Sequence, residues 1–527
     1  MSEKELLEKC FRQGQMTRRD FLVRLSALGA AASVGTSLLA TPLKAAAPKK
    51  GGRFRLGVTG GSISDSLDPA VIEAPMPFTI NWQLRNCLVE IDHDGNLIPE
   101  LAESWESSPD AAQWIFNLRR GVEFHNGKSL EAQDVIESIN HHRGKDSKSR
   151  AKGIVDQITE INADGKHRIV FNLETGNADF PYIMSDFHLT IQPAGDTDLN
   201  AGIGTGGYVL VNFEPGVRCL VKRNPNYWKA GRAHFDEIET LSIEDINART
   251  SALKTGQIDA MNRCDLKTVH LMERVPGIEI LKYNGTTHYT FPMRTDVPPF
   301  DNNDVRLALK YAIDREDIVK RILMGYGSLG NDHPIARTNR YFAGSLPQRE
   351  YDPEKARHHL KKAGIGQHTF KLHLAEAAFP GAIDAGVLYK EHAAKAGIDI
   401  QVVREPNDGY WKEVWKKVPW CGCYWTSRAT EDWMFSMAYA AGATQNDTKW
   451  EHPEFNQLLV AARAELDEAK RRKMYIEMQR LVRDEGGVVI PMFADRVEAI
   501  SSKICYEKLA GNWELDGERC SERWWFA

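Results

Sequence analysis

Cysteine is scarce and nowhere spaced to hold a metal. The 527 residues contain eight, and only Cys421 and Cys423 lie close together, as C-G-C rather than the C-x-x-C of zinc sites. Cluster-ligating spacings are missing, as is any glycine-rich loop that would cradle a nucleotide. Neither G-x-S-x-G nor H-E-x-x-H occurs, which removes two common hydrolase signatures. No basic block with interleaved aromatics is present and the formal net charge is −5, so no nucleic-acid partner is expected. The adjacent pairs His141–His142 and His358–His359 diverge on a helix and read as surface residues. What is plentiful is apolar content: at 42% hydrophobic, a chain of this length buries two or three cores, so several domains are expected.

Long apolar runs are lacking too, apart from one near the amino end. Thr17, Arg18, Arg19, Asp20, Phe21 and Leu22 read T-R-R-D-F-L, the twin-arginine export pattern, ahead of a weakly apolar run over 25–43 rich in Ala, Gly and Ser. Lys44 then precedes Ala45, Ala46 and Ala47, a small-residue cleavage site. No cysteine follows the run there, so residues 1–47 are expected to be a removed signal peptide, leaving a soluble periplasmic protein rather than a lipoprotein. The seven basic and four acidic residues of that segment take the formal charge from −5 to −8 when they leave. Cys10 leaves as well, and the seven remaining cysteines, being odd in number, cannot all pair within one chain. Because the twin-arginine route carries folded proteins, often with cofactors, an exported redox enzyme stands as an alternative of another class.

The organising stretch is PPFDNNDVRLALKYAIDREDIVKRILMG, residues 298–325. Two prolines fix φ and remove donors, so no helix runs through Pro298 and Pro299 and a boundary falls there. Val305, Ala308, Leu309, Ala312 and Ile313 then repeat at helical spacing as one buried stripe, with Asp304 expected as the N-cap. Asp314 is expected to cap a second helix that buries Ile318, Val319, Ile322 and Leu323 and stops at Gly325.

This stretch resembles the family 5 solute-binding proteins of ABC importers, the group that includes peptide, dipeptide, nickel and glutathione binders, whose pattern is close to P-P-F-D-D-V-R-V-R-Q-A-L-x-x-A-I-D-R. Further segments extend the resemblance: LIPELAESW, RRGVEFHNG, GTGGY, RNPNYW and GQIDAM at 97–105, 119–127, 204–208, 223–228 and 256–261. The resemblance implies a protein that binds and does not catalyse. It implies an α/β fold, a two-lobed periplasmic binding protein of class II, cluster C-like, with mixed sheets and two hinge crossings, expected near Pro298 and Pro491. The expected domains are 48–88 in domain I, 89–203 in a small domain II, 204–296 in domain I again, 297–487 in domain III, and 488–527 in domain I. Permease and ATPase subunits on separate chains are the implied partners, the protein itself being a monomer with no cofactor; a carrier of metal complexes or haem is the alternative within the family.

The residues themselves predict further elements. Alternation over RFRLGV at 53–58 predicts a half-buried strand, and a helix is expected over 78–89, with a hairpin turn at Asp94–Gly95. Strand 114–118 and helix 132–139 follow. Beyond Asp352, a helix, a strand around Leu372 and Leu374, a helix over 385–396 and a strand over 398–403 predict a βαβ unit with parallel strands. The charged stretch 455–485 reads as a solvated amphipathic surface of two helices broken near 466–468, where Asp467 caps.

The segment WTSRATEDW, 425–433, departs from the family. Peptide binders resemble W-x-x-D here, and that Asp takes the peptide's ammonium; the matching position is Arg428. A guanidinium stays protonated and forks donors onto a carboxylate or phosphate, so the expected ligand is anionic: an acidic peptide, a glutathione-like compound, an opine or another small organic anion. Pairing of Arg428 with Glu431 or Asp432 is the alternative role, and Asp432 in turn is a second candidate for an ammonium. Tyr410, Trp411, Trp425 and Trp433 are candidate apolar walls.

Overall fold

A computed structural model describes residues 48–527 apart from Ser427 and Ala429. The export segment read in residues 1–47 lies outside the described residues. Among those described, no helix is long and apolar enough to cross a membrane.

The predicted strand over 53–58 forms as Arg53–Val58, with Phe54, Leu56 and Val58 inaccessible. It lies in the interior of a seven-stranded mixed sheet. Its neighbours are Glu237–Ser242 and Ala260–Met261, both parallel to it. Arg218–Arg223 and Tyr208–Glu214 extend one side, antiparallel in turn. On the other, Arg496–Ser501 pairs with both Ala260–Met261 and Ile278–Tyr283. Helix Pro75–Leu84 covers this sheet. It starts earlier than expected, because Pro75 pre-sets φ at its first turn, and ends at Leu84 as Arg85 turns extended toward strand Val89–Ile91. That strand makes the expected hairpin with Leu97–Pro99, and Gly95 supplies the left-handed φ of +84° that the turn needs. Residues 102–173 then build a four-stranded antiparallel sheet with a core of its own.

The second lobe is contiguous in sequence. Helices Asn303–Tyr311 and Arg315–Ile322 form as expected, and the whole stripe from Val305 to Ile313 is inaccessible. Asp314 caps the second helix by accepting from Asp317 N. The first helix is capped by Asn302 rather than Asp304: the Asn302 amide oxygen takes the Asp304 N–H, leaving Asp304 in the first turn to meet His359 and Lys362. Strands Thr369–Leu374 and Asp399–Arg404 pair in parallel around helix Ala382–Ala394, the predicted βαβ unit. Helices Pro453–Ala464 and Glu468–Glu485 break where expected, with Asp467 capping the latter.

The passages between lobes fall elsewhere than the prolines suggest. Strand Ile278–Tyr283 belongs to the seven-stranded sheet, whereas His288–Pro292 joins Gly327–Leu329, Val488–Ala494 and Cys423–Trp425 in the sheet of the second lobe. The chain therefore crosses over 284–287 and again at Asp495, and 288–296 and 488–494, assigned to domain I from sequence, carry second-lobe strands. Pro491 lies inside a strand, where its missing N–H coincides with a register shift between Tyr289 and Phe291. One histidine also differs from expectation: His142 is buried against Ser149, and burial drives its pKa down to about 4. All seven described cysteines are buried thiols.

Candidate functional site

A cavity of about 270 Å³ lies between the lobes. Its first-lobe wall is aromatic. Phe187 meets Trp513 edge to face at 5.5 Å and leans on Phe78 at 4.3 Å, while Trp82 carries the Arg519 guanidinium 4.0 Å from its ring centre.

Arg519 is fixed from behind. It donates to Glu100 at 2.7 and 3.1 Å and to Glu522 at 3.1 Å. Glu90, Glu100 and Glu522 bring carboxylate oxygens within 4.8 Å of one another, a spacing a cation would suit. Lys229 already supplies that cation, its ammonium 2.5, 2.7 and 3.0 Å from the three. With Arg519 and Arg523 the set is a balanced buried network that anchors the wall rather than a metal centre.

Residues 515–518 bring Arg519 to the cavity through four successive left-handed residues, Leu515, Asp516, Gly517 and Glu518, at φ +49°, +61°, +69° and +61°. Three of these carry Cβ atoms, each at a cost of roughly 1–2 kcal/mol. Buried acids offset it: Asp516 accepts from Ala510 N at 2.7 Å, Glu518 from Thr79 Oγ1 at 2.6 Å, and Glu498 takes the Leu515 N–H at 2.6 Å. Burial, with Glu514 nearby, pushes the Glu498 carboxyl up to about 8 from an ordinary value near 4.5. The folded protein therefore keeps a proton that the unfolded chain releases, and stability must fall as pH rises between those values. Glu498→Gln, which keeps the acceptor and cannot ionise, is expected to flatten that fall by a few kcal/mol, on the order of 1.4 for each pKa unit. Melting temperatures measured between about pH 5 and 8 check it; parallel curves for the two proteins would refute it.

The second-lobe wall comes from the turn before helix Glu431–Ala438, which Thr430 caps by accepting from Trp433 N. Glu431 takes the Tyr341 N–H at 2.7 Å, and burial beside Asp179 lifts its carboxyl to about 7. Arg428 donates to Thr426 O and Oγ1 at 3.3 and 3.0 Å and lies 5.7 Å over the Trp433 ring. Burial lowers its pKa, opposed by Asp186 of the first lobe.

Of the six residues singled out in the sequence, Arg428 and Trp433 line the cavity. Asp432 is turned away, with Arg463 Nε 3.2 Å from each carboxylate oxygen. Trp425 is packed in a second-lobe core, and Tyr410 is buried with its hydroxyl on Gly422 O at 2.9 Å. Trp411 is 40% exposed beside Tyr424 and Trp415. Sequence reading missed Arg340, Trp82, Phe187 and Trp513, and weighed Glu431 only as a partner for Arg428; all five face the cavity.

Residues 96–447 match the model of the bacterial extracellular solute-binding proteins, family 5 middle. The chain belongs to this family. Its members are binding proteins of the periplasm or the cell exterior, as the motifs implied. The di/tripeptide-binding protein 1 of Pseudomonas aeruginosa is 24% identical over 495 residues, covering 85% of this chain and 90% of that protein. Among solved structures, HbpA2 from Haemophilus parasuis superposes with a TM-score of 0.79 at 20% identity over 88% of this chain and 98% of its own. AgaA from A. tumefaciens R10, solved with agropinic acid, gives 0.72 at 23% identity over 90% and 99%. These likenesses establish the two-lobed fold of the solute-binding protein, and its cavity occupies the cleft between those lobes.

Proposed function

We propose that this solute-binding protein is the periplasmic, monomeric receptor of an ABC importer, exported by the twin-arginine route, and that it captures a small carboxylate-bearing molecule. Arg428 carries this reading, because it presents a guanidinium on the second-lobe wall while Trp82, Phe187 and Trp513 offer an apolar surface across the cleft. An anionic head on Arg428 and an apolar body against the aromatic wall would touch both lobes, which gives the closed state its extra contacts. Peptide-like acids and opine-like acids both answer that description. The neighbour AgaA, whose structure is in complex with agropinic acid, supports a non-peptide acid as an option.

Mass spectrometry of small molecules released from freshly purified protein, with elemental analysis on the same sample, tests the proposal. The expected result is one organic acid near unit stoichiometry, bound without turnover. Stoichiometric metal, haem or a purely cationic solute would overturn it, and robust hydrolysis of the released compound would return the protein to the exported enzymes.

A further inference from the structure

At one end of the cleft the first lobe reaches into the second through residues 178–182. Ala178 N donates to Arg463 O at 2.7 Å, and Arg340 lies 5.1 Å over the Tyr182 ring. Between these contacts is Asp179, 2% exposed, whose carboxylate oxygens accept no well-formed hydrogen bond and meet their partners as ion pairs. It stands 2.8 Å from Arg471 Nη2 and 3.7 Å from Arg340 Nη1, both of the second lobe.

The second lobe has prepared that contact. Arg471 donates through Nε to Ala462 O at 3.0 Å and through Nη1 to the Tyr341 hydroxyl at 3.2 Å. Its guanidinium lies 5.3 and 5.5 Å from the ring centres of Tyr341 and Tyr475, which stack on each other at 4.9 Å. Glu468 of the same lobe is engaged by Arg340 and by the Tyr341 hydroxyl.

We propose that Arg471, Arg340, Tyr341 and Tyr475 form a carboxylate-binding site whose occupant is the protein's own Asp179, so that the lobes latch at this end whether or not the cavity holds a solute. Forming a buried ion pair usually fails to gain much because both charges must shed water. Here the guanidinium is already oriented by its own lobe, through Ala462 O and the Tyr341 hydroxyl, so less freedom is lost when the carboxylate docks. Tethering through 284–287 and Asp495 raises its effective concentration further. Glu431, Asp432 and the Tyr341 and Tyr475 hydroxyls share the field of Asp179, with Arg463 on Asp432. The two carboxylates oppose the latch when ionised; the two arginines in direct reach of Asp179 outweigh them. Solute binding then begins from a population that is partly closed, and release requires the latch to break.

The latch does not depend on the solute's identity, and protein freed of small molecules tests it. X-ray scattering of the wild type is expected to show a closed component, and Asp179→Ala to raise the open-to-closed ratio by at least about tenfold, the scale of removing one partner of a buried ion pair. Hydrogen exchange at the Ala178 amide, whose bond crosses the lobes, should accelerate by a similar factor, and Asp179→Glu should recover part of both effects. Each lobe's melting should be unchanged in Asp179→Ala, since Asp179 serves neither lobe's own packing. Identical scattering and Ala178 exchange in wild type and Asp179→Ala would overturn the latch, as would an Ala178 amide unprotected in the solute-free wild type.

Discussion

Arg428→Ala is expected to weaken binding of the released native ligand by roughly 2–5 kcal/mol, the cost of stripping one partner from a buried charge pair. The guanidinium is held over Trp433 with Thr426 beside it, so its orientation is set before the ligand arrives. Arg428→Lys should recover only part of the loss, because an ammonium is a point charge and cannot fork two parallel donors onto a carboxylate. Isothermal calorimetry with the ligand identified by mass spectrometry is the measurement. Unchanged affinity in Arg428→Ala would leave Arg428 as a residue that orders the turn before helix Glu431–Ala438, and the case for an anionic solute would fall with it.

Asp332→Ala is expected to destabilise the second lobe by roughly 3–5 kcal/mol. The Asp332 side chain is inaccessible. It accepts from Arg315 Nη2 on both oxygens at 2.7 Å and from the Ile490 N–H at 3.0 Å, and Arg349 Nε stands 2.8 Å away as an ion pair. One carboxylate thus ties the second helix of the opening pair to strand Val488–Ala494. Burial pushes its pKa up, but Arg315, Arg349 and Lys310 outweigh burial and hold the carboxyl below its ordinary value. Its contribution is therefore complete above about pH 4 and fades in stronger acid. Removing it strands Arg315 without a counter-ion, whereas Arg349 keeps Asp484 at 2.8 Å. A fall in melting temperature of roughly 6–20 °C is expected for a lobe of this size. Asp332→Asn, which keeps the shape and loses the charge, should fall between. A variant melting within a degree or two of wild type would show that the network rearranges at no cost.

Local chemistry made most of the elements readable. The stripe Val305–Ile313 and the caps at Asp314 and Asp467 are periodicity and hydrogen-bond arithmetic within a few residues, and they appear as expected. The cap at Asn302 was missed because Asn and Asp two residues apart serve equally well in a sequence, and only the approach of His359 and Lys362 draws Asp304 off. Pro491 misled for a related reason: a proline usually interrupts a strand, and the register shift that lets it stay depends on Tyr289 and Phe291, about 200 residues earlier. The cavity was legible only where one segment supplied it, at Arg428 and Trp433. Trp82, Phe187 and Trp513 converge from three distant stretches, and no spacing in a single chain announces such a meeting. The flanking of Trp513 by Gly511 and Gly517 in an acidic run was the one available hint of an unusual turn.

Strand Arg496–Ser501 lies between Ile278–Tyr283 and Ala260–Met261, in the interior of the first-lobe sheet. A ribosome delivers it after every other strand of that sheet and after the whole second lobe. The first lobe thus waits, with two strands unpaired on facing edges, while the second has all its strands in hand once residue 494 has emerged. Such unpaired edges are what chaperones shield, so the order of synthesis gives this chain its longest exposure in the lobe whose sheet begins first.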